Sequence, residues 1–148
     1  LFLIFNMERT VILIKPDAVK KGVIGDIITR FEKEGFVLIA AKFLRLPDDV
    51  VDLWYAHHKD KAFFPELKSF MTSTPVMAML WEGKDAVGKV REFCGPTDSK
   101  KAPKGTIRGN HGLDIQHNAV HASEDGDNAK REMDLIFLPH EIYEYKKD

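Results

Sequence analysis

His121 and Glu132 are the pair of side chains best suited to nucleophilic chemistry in this sequence. An imidazole attacks an electrophile when an acid fixes one ring N–H and leaves the other nitrogen's lone pair free. The run Asn118-Ala119-Val120-His121-Ala122-Ser123 reads as a strand. Alternation then points Val120 to one face and Ala119, His121 and Ser123 to the other, which turns the imidazole towards a cleft. The acidic run Glu124-Asp125-Gly126-Asp127 can open a helix over residues 128–137, because acids favour the positive end of a helix dipole. On that helix Ala129, Met133 and Ile136 mark the buried stripe and Glu132 lies beside it, within reach of the histidine. The spacing of His117 and His121 also suits a metal pair, but no third Cys, His or acid stands at ligand spacing. A second set of residues could hold phosphate oxygens: Lys15 at the end of an apolar run, and Thr97, Arg108 and the flanking Arg91 in and beside a Gly- and Lys-rich connection.

The elements that must position these groups follow from periodicity. Residues 10–14 form a β-rich apolar run ending at Lys15-Pro16-Asp17, the pattern of a central strand that delivers a lysine. Residues 22–35 carry Ile24, Ile27, Ile28 and Phe31 at helical spacing. A second strand is predicted over 36–46, then a helix from Pro47-Asp48-Asp49 towards His58 and another over 63–71, together a helical hairpin. A strand over 75–81 and a helix over 85–94 follow. The segment Gly83-Lys84-Asp85-Ala86-Val87-Gly88-Lys89 imitates a phosphate-binding loop, yet Val90 stands where that loop needs a hydroxyl. Residues 95–115 show no periodicity and are expected to form a long connection, a kind of loop that is usually functional. The order predicts an α+β fold: a ferredoxin-like βαββαβ layout, a four-stranded antiparallel sheet with helices on one face and a helical hairpin insert.

At 148 residues and 44% hydrophobic, the chain suits one domain over residues 7–148, with residues 1–6 an upstream extension before Met7. A net charge of −1 argues against a general polyanion surface and so against nucleic acid as the default partner. The lone Cys94 and the lack of a membrane-length apolar stretch point to the cytoplasm.

The histidine run, taken with Lys15-Pro16-Asp17 and Gly105-Thr106-Ile107-Arg108-Gly109, resembles the nucleoside diphosphate kinases, in collinear order from about Glu8 to Phe137. The resemblance implies an enzyme that moves the γ-phosphoryl group of a nucleoside triphosphate, typically ATP, to a nucleoside diphosphate by a ping-pong route through phosphorylated His121, with Mg2+ as cofactor. It implies that Lys15, Tyr55, Arg91, Thr97, Arg108 and Asn118 meet phosphates or ribose, and that His58, Phe63, Leu67 and Ile115 border the nucleotide, Phe63 and Ile115 sandwiching the base. Stacking reads bases weakly, so ATP, GTP and other nucleotides are expected to be accepted. Glu132 matches the acid that orients the nucleophile, with Ser123 bonded to it. Glu124 stands where an aspartate is usual, reaching towards nucleotide-bound Mg2+ through water. Asp125, His117 and Asn110-His111 also depart from the family pattern. A homo-oligomer, hexameric or tetrameric, is implied as well. The alternatives are a nucleotide-binding regulatory or scaffold protein of the same fold with low turnover, and an RNA-binding βαββαβ module. The second is disfavoured because residues 10–14 and 118–123 carry no aromatic to stack bases.

Overall fold

The computed structural model describes residues 7–148, so the reading of residues 1–6 lies outside it. β1 (Met7–Ile14) is the central strand, and its residues Val11, Ile12, Leu13 and Ile14 are all fully buried. A strand covered on both faces needs apolar residues at every position, which accounts for the unbroken run. β3 (Val76–Lys84) pairs antiparallel with the whole of β1, from Met7 opposite Lys84 to Ile14 opposite Met77. β2 (Val37–Leu44) lies outside β3, and β4 (Val120–Ala122) pairs with the other side of β1, His121 opposite Leu13. The sheet order is thus β2-β3-β1-β4, antiparallel throughout, the expected ferredoxin-like sheet.

The helices cover both faces of this sheet rather than one. α2 (Ile24–Lys33) and α5 (Ala86–Cys94) pack Ile27, Phe31, Val90 and Phe93 against Ile12, Ile14, Met79 and Trp81. Phe31 stacks on Trp81 at 5.0 Å between centroids and meets Phe93 edge-on at 4.9 Å. On the opposite face the helical hairpin, α3 (Asp48–Trp54) and α4 (Phe64–Met71), joins α7 (Gly126–Ile136) in burying Val11, Leu13, Ala78 and Leu80. Side-chain alternation along the central strands requires this, since both sets of β1 residues are apolar. Among the described residues both faces of the sheet are packed against helices.

One element is added to the expected order and two expectations are corrected. A short helix, α1 (Pro16–Lys21), begins directly after Lys15 with proline in its first turn and ends at Gly22, φ 76°, in the left-handed region. It is too short to show a 3.6-residue repeat. The connection from 95 to 115 is not structureless: Asp98 caps a 3-10 turn, Ser99–Lys101, and Thr106 caps α6 (Ile107–His111), its hydroxyl accepting from Gly109 N–H. The strand predicted at 75–81 runs on to Lys84, and the phosphate-loop mimic is only its end plus the start of α5. A β-carbon on Gly83 would lie 2.3 Å from the Phe36 ring, so packing explains that glycine. Among the described residues no helix is long and apolar enough to cross a membrane.

Candidate active site

The histidine strand is three residues long, not six, because the chain turns at Ala119. That residue has φ 72°, and Val120 N–H donates to Asn118 O at 2.9 Å, closing a three-residue γ-turn of the strained, positive-φ kind. For a residue with a β-carbon this conformation costs about 1–3 kcal/mol and persists only where surrounding contacts fix it. Here they do. Ala119 N–H donates to Asp17 Oδ2 at 3.0 Å, and Ala119 O accepts from Lys15 N–H at 2.9 Å.

Beyond the turn, His121 has its side chain 20% exposed, and the Trp54 ring packs edge-on against it at 5.2 Å. His121 Nε2 lies 3.0 Å from Glu132 Oε1, and Ser123 Oγ donates to the same oxygen at 2.7 Å. An oxygen that collects two donors in this way fixes hydrogen on Nε2 and leaves the lone pair on Nδ1. Ser123 is itself held by Val11 N–H, which donates to its hydroxyl at 3.0 Å. Glu132 is 3% exposed and rides on α7, whose first turn is capped by Asp125 through Asn128 N–H at 2.8 Å. The cap is therefore Asp125, and Glu124 stands exposed beside it. Burial, reinforced by the Glu132 charge, raises the Tyr55 phenol far above its ordinary range, so it stays protonated and able to donate.

The cations lie on both sides of the turn. Lys15 Nζ donates to Asn118 Oδ1 and to Gln116 O, both at 2.7 Å, and stands over the Phe70 ring at 5.5 Å. Asn118 in turn donates through Nδ2 to Thr97 O and Ile115 O, at 2.9 and 3.2 Å. Arg108 donates to Gly95 O at 2.8 Å and to Val120 O at 2.9 Å, and Arg91 reaches Ala122 O at 3.4 Å. The two guanidinium groups thus bind the carbonyls on either side of His121, on the edge of β4 that faces away from β1. Both edge carbonyls are satisfied, and two cations are brought to the backbone of the histidine strand.

Burial lowers the Lys15 pKa to about 8; Asp17 pulls the other way and Arg108 adds to the drop. Protonated Lys15 attracts phosphate and neutral Lys15 does not. In the free protein, kcat/KM for a diphosphate is therefore expected to fall as pH rises through about 8. The fall in kcat should lie at higher pH, because bound phosphate stabilises the ammonium. Profiles from pH 6 to 10 check this, and a flat kcat/KM to the alkaline end would remove Lys15 from the phosphate contacts.

The structure brings Lys15, Asn118, Thr97 and Ile115 into one hydrogen-bond network and His121, Glu132 and Ser123 into a second, with the Tyr55 phenol within reach of the Glu132 charge and Arg91 and Arg108 against the histidine strand. Phe63, His58 and Leu67 sit apart on the hairpin: Phe63 is 45% exposed and 5.2 Å from the His58 ring, while Leu67 packs into the core below. Ile115 is 65% exposed. His117 and His121 serve different acids, since His117 Nδ1 lies 3.2 Å from Asp114, and among the described residues no three ligating side chains cluster for a metal. Trp54, Phe70 and Asp17 are site neighbours that spacing did not reveal. Trp54 and Phe70 carry only the signal of apolar helix positions, and Asp17 that of a helix-start acid.

A model of the family described as nucleoside diphosphate kinase matches residues 8–142. A nucleoside diphosphate kinase of Natronomonas pharaonis is 48% identical over 143 residues, 96% of this chain and 94% of the relative. One from Pelotomaculum thermopropionicum is 48% identical over 139 residues, 94% of this chain and 93% of the relative. Among solved structures, the Halobacterium salinarum enzyme in complex with CDP superposes with a TM-score of 0.92 at 45% identity, covering 95% of this chain and 94% of that one. The Aquifex aeolicus enzyme gives a TM-score of 0.89 at 43% identity, covering 93% and 99%. With a family model over nearly the whole chain and relatives of this identity end to end, the chain belongs to the nucleoside diphosphate kinase family and is a phosphotransferase of that kind.

Proposed function

We propose that the chain transfers the γ-phosphoryl group of a nucleoside triphosphate to a nucleoside diphosphate in two half-reactions through phosphorylated His121. The observation that carries this is the commitment of His121 Nε2 to Glu132, which leaves Nδ1 as the ring's free lone pair on a strand whose flanking carbonyls are bound by Arg91 and Arg108. In the first half-reaction Nδ1 attacks the γ-phosphorus, the bond from that phosphorus to the bridging oxygen breaks, and the diphosphate leaves with the electron pair. Positive charge on the imidazole is held by the Glu132 carboxylate through Nε2–H. In the second, an oxygen of the incoming diphosphate's terminal phosphate attacks the same phosphorus, the N–P bond breaks and His121 returns neutral. Negative charge on the transferring oxygens suits Arg91, Arg108, Lys15 and the Tyr55 hydroxyl.

Phe63 and Ile115, both exposed, are read as the two faces that hold the base, with His58 and Leu67 bordering it and Asn118 and Thr97 at the phosphates or ribose. The complex of the Halobacterium salinarum relative with CDP supports a nucleotide as the ligand. The same reading takes residues 7–148 as one cytoplasmic domain that assembles into a hexamer or tetramer. Phe43, 54% exposed on the edge strand β2, supports assembly.

The donor set fits Mg2+ carried in on the nucleotide. Of the exposed carboxylates that follow the histidine strand, Glu124, Asp125 and Asp127, Glu124 comes first and is not the helix cap, and this ion is commonly held by substrate phosphates, waters and one or two protein acids. Bound there, Mg2+ would neutralise phosphate charge. Glu124→Ala is then expected to raise the magnesium concentration needed for half-maximal rate by about two- to tenfold, well short of a dedicated ligand's effect. Magnesium titration of the two proteins checks this, and an unchanged requirement would leave Glu124 as a charge at the start of α7.

The test of the function itself is incubation with γ-labelled ATP and magnesium, followed by a second diphosphate. Labelled protein is expected first, with an acid-labile, base-stable bond, and labelled new triphosphate next. Label that survives acid, or transfer without labelled protein, would overturn the two-step route.

A further inference from the structure

Asp17 lies outside the residues that would meet the nucleotide, yet one hydrogen bond places it in control of the nucleophile's approach. Its Oδ2 accepts from Ala119 N–H at 3.0 Å, and Ala119, fully buried, is the residue with φ 72° that turns the chain into β4. The other oxygen, Oδ1, is buried with no hydrogen-bond partner among the described residues. Leaving a carboxylate oxygen dry and unbonded is unfavourable. Beside its favourable place in the first turn of α1 and its charge near Lys15, the one hydrogen bond the carboxylate accepts among the described residues comes from the strained peptide. The opposite side of the same residue is fixed by Lys15 N–H on Ala119 O. Ala119 is thus clamped between the two residues that flank Pro16, one through the main chain and one through a side chain.

We infer that Asp17 is a positioning residue for the nucleophile: by holding Ala119 in the left-handed region it sets the angle at which His121 enters the sheet and presents Nδ1 to phosphate. Without an acceptor for its N–H, Ala119 relaxes towards negative φ, Val120 shifts against Ile14, and the imidazole two residues on turns away from its line of attack. Binding of the nucleotide depends on Lys15, Arg91 and Arg108 and is affected less. A glycine at 119 takes positive φ without strain, so it should make the clamp dispensable. That separates this role from the other effect Asp17 has, its charge acting on Lys15.

The inference rests on His121 being the phosphorylated residue, and the experiment keeps the two apart. Four proteins are compared in the full chain: wild type, Asp17→Ala, Ala119→Gly and the double variant, with kcat, KM for diphosphate and His121 labelling rate measured for each. Asp17→Ala is expected to lower kcat and labelling rate by about ten- to a hundredfold, the scale of a small misplacement of a reacting group, with KM changing by less than about threefold. In the Ala119→Gly background the same substitution should cost less than about threefold. Asp17→Asn, which keeps an oxygen able to accept, should lose less than Asp17→Ala. If Asp17→Ala does not accumulate folded, the cycle is run with Asp17→Asn, whose loss must likewise shrink in the glycine background. An equal loss in both backgrounds, or a loss confined to KM, overturns the inference and assigns Asp17 to Lys15. Label persisting in His121→Ala would instead overturn the phosphohistidine, whatever the cycle shows.

Discussion

His121→Ala is expected to abolish transfer, with turnover down by at least about 10⁴-fold, the scale on which enzymes lose activity when the covalent nucleophile is removed. The other groups around it do not attack phosphorus: the cations have no free lone pair while protonated, and Ser123 is buried and engaged with both Val11 and Glu132. The structural cost is smaller. β4 keeps its main-chain pairing, Glu132 keeps the Ser123 hydroxyl, and the losses are one hydrogen bond and the edge contact with Trp54. Together these come to about 1–3 kcal/mol, or a melting temperature lower by roughly 2–10 °C for a chain of this size. Loss of rate with a folded, nucleotide-binding protein is therefore the expected pattern. Retained label from γ-labelled ATP, or a rate loss that only follows the unfolded fraction, would show that another group carries the phosphate.

The link between His121 and Glu132 could be read from sequence because it is local. A strand, a helix cap and one helix turn fix both side chains, and the alternations of period 2 and 3.6 act over that range. The proposed phosphate contacts come from the resemblance alone. Lys15, Arg91, Arg108 and Asn118 come from four separate segments, and no spacing rule says that Arg108 and Arg91 will bind the two carbonyls flanking the histidine. Ala119 misled the reading of residues 118–123 as one strand, since alanine carries no signal for positive φ and the glycine or asparagine that would have given one is absent. Trp54 was legible as a buried helix residue but not as the neighbour of His121, because the packing of the hairpin depends on sheet residues far away in sequence. The same non-locality hid the second covered face of the sheet. An unbroken apolar β1 is compatible with it, and only the positions of α3, α4 and α7 establish it.

Arg108 carries two loads, and its substitution is expected to show both. It is 5% exposed, donates to Gly95 O and Val120 O, and has a buried Nε with no hydrogen-bond partner among the described residues. Burial lowers its pKa from the ordinary guanidinium value, with Cys94 opposing the shift, so the site holds a cation at a cost in solvation. A phosphate beside it would offset that cost, and under the proposed function the group would be an electrostatic partner for transferring oxygens as well as a strut. Arg108→Ala removes a two-point link between the turn at Gly95, φ 88°, and the strand of the nucleophile. A stability loss of about 2–4 kcal/mol follows, or roughly 4–16 °C in melting temperature. Removing a preorganised charge from phosphoryl transfer should lower kcat/KM by about a hundredfold to a thousandfold further than unfolding explains. Arg108→Lys restores charge but cannot span both carbonyls from one ammonium, so it is expected to recover part of the stability and to remain at least about tenfold slow. Thermal melts and single-turnover labelling of His121, both corrected for folded fraction, separate the two loads. If Arg108→Ala melts early yet labels His121 at the wild-type rate, the guanidinium is only a brace for Val120 and Gly95, and the charge that meets the phosphate must come from Lys15 and Arg91.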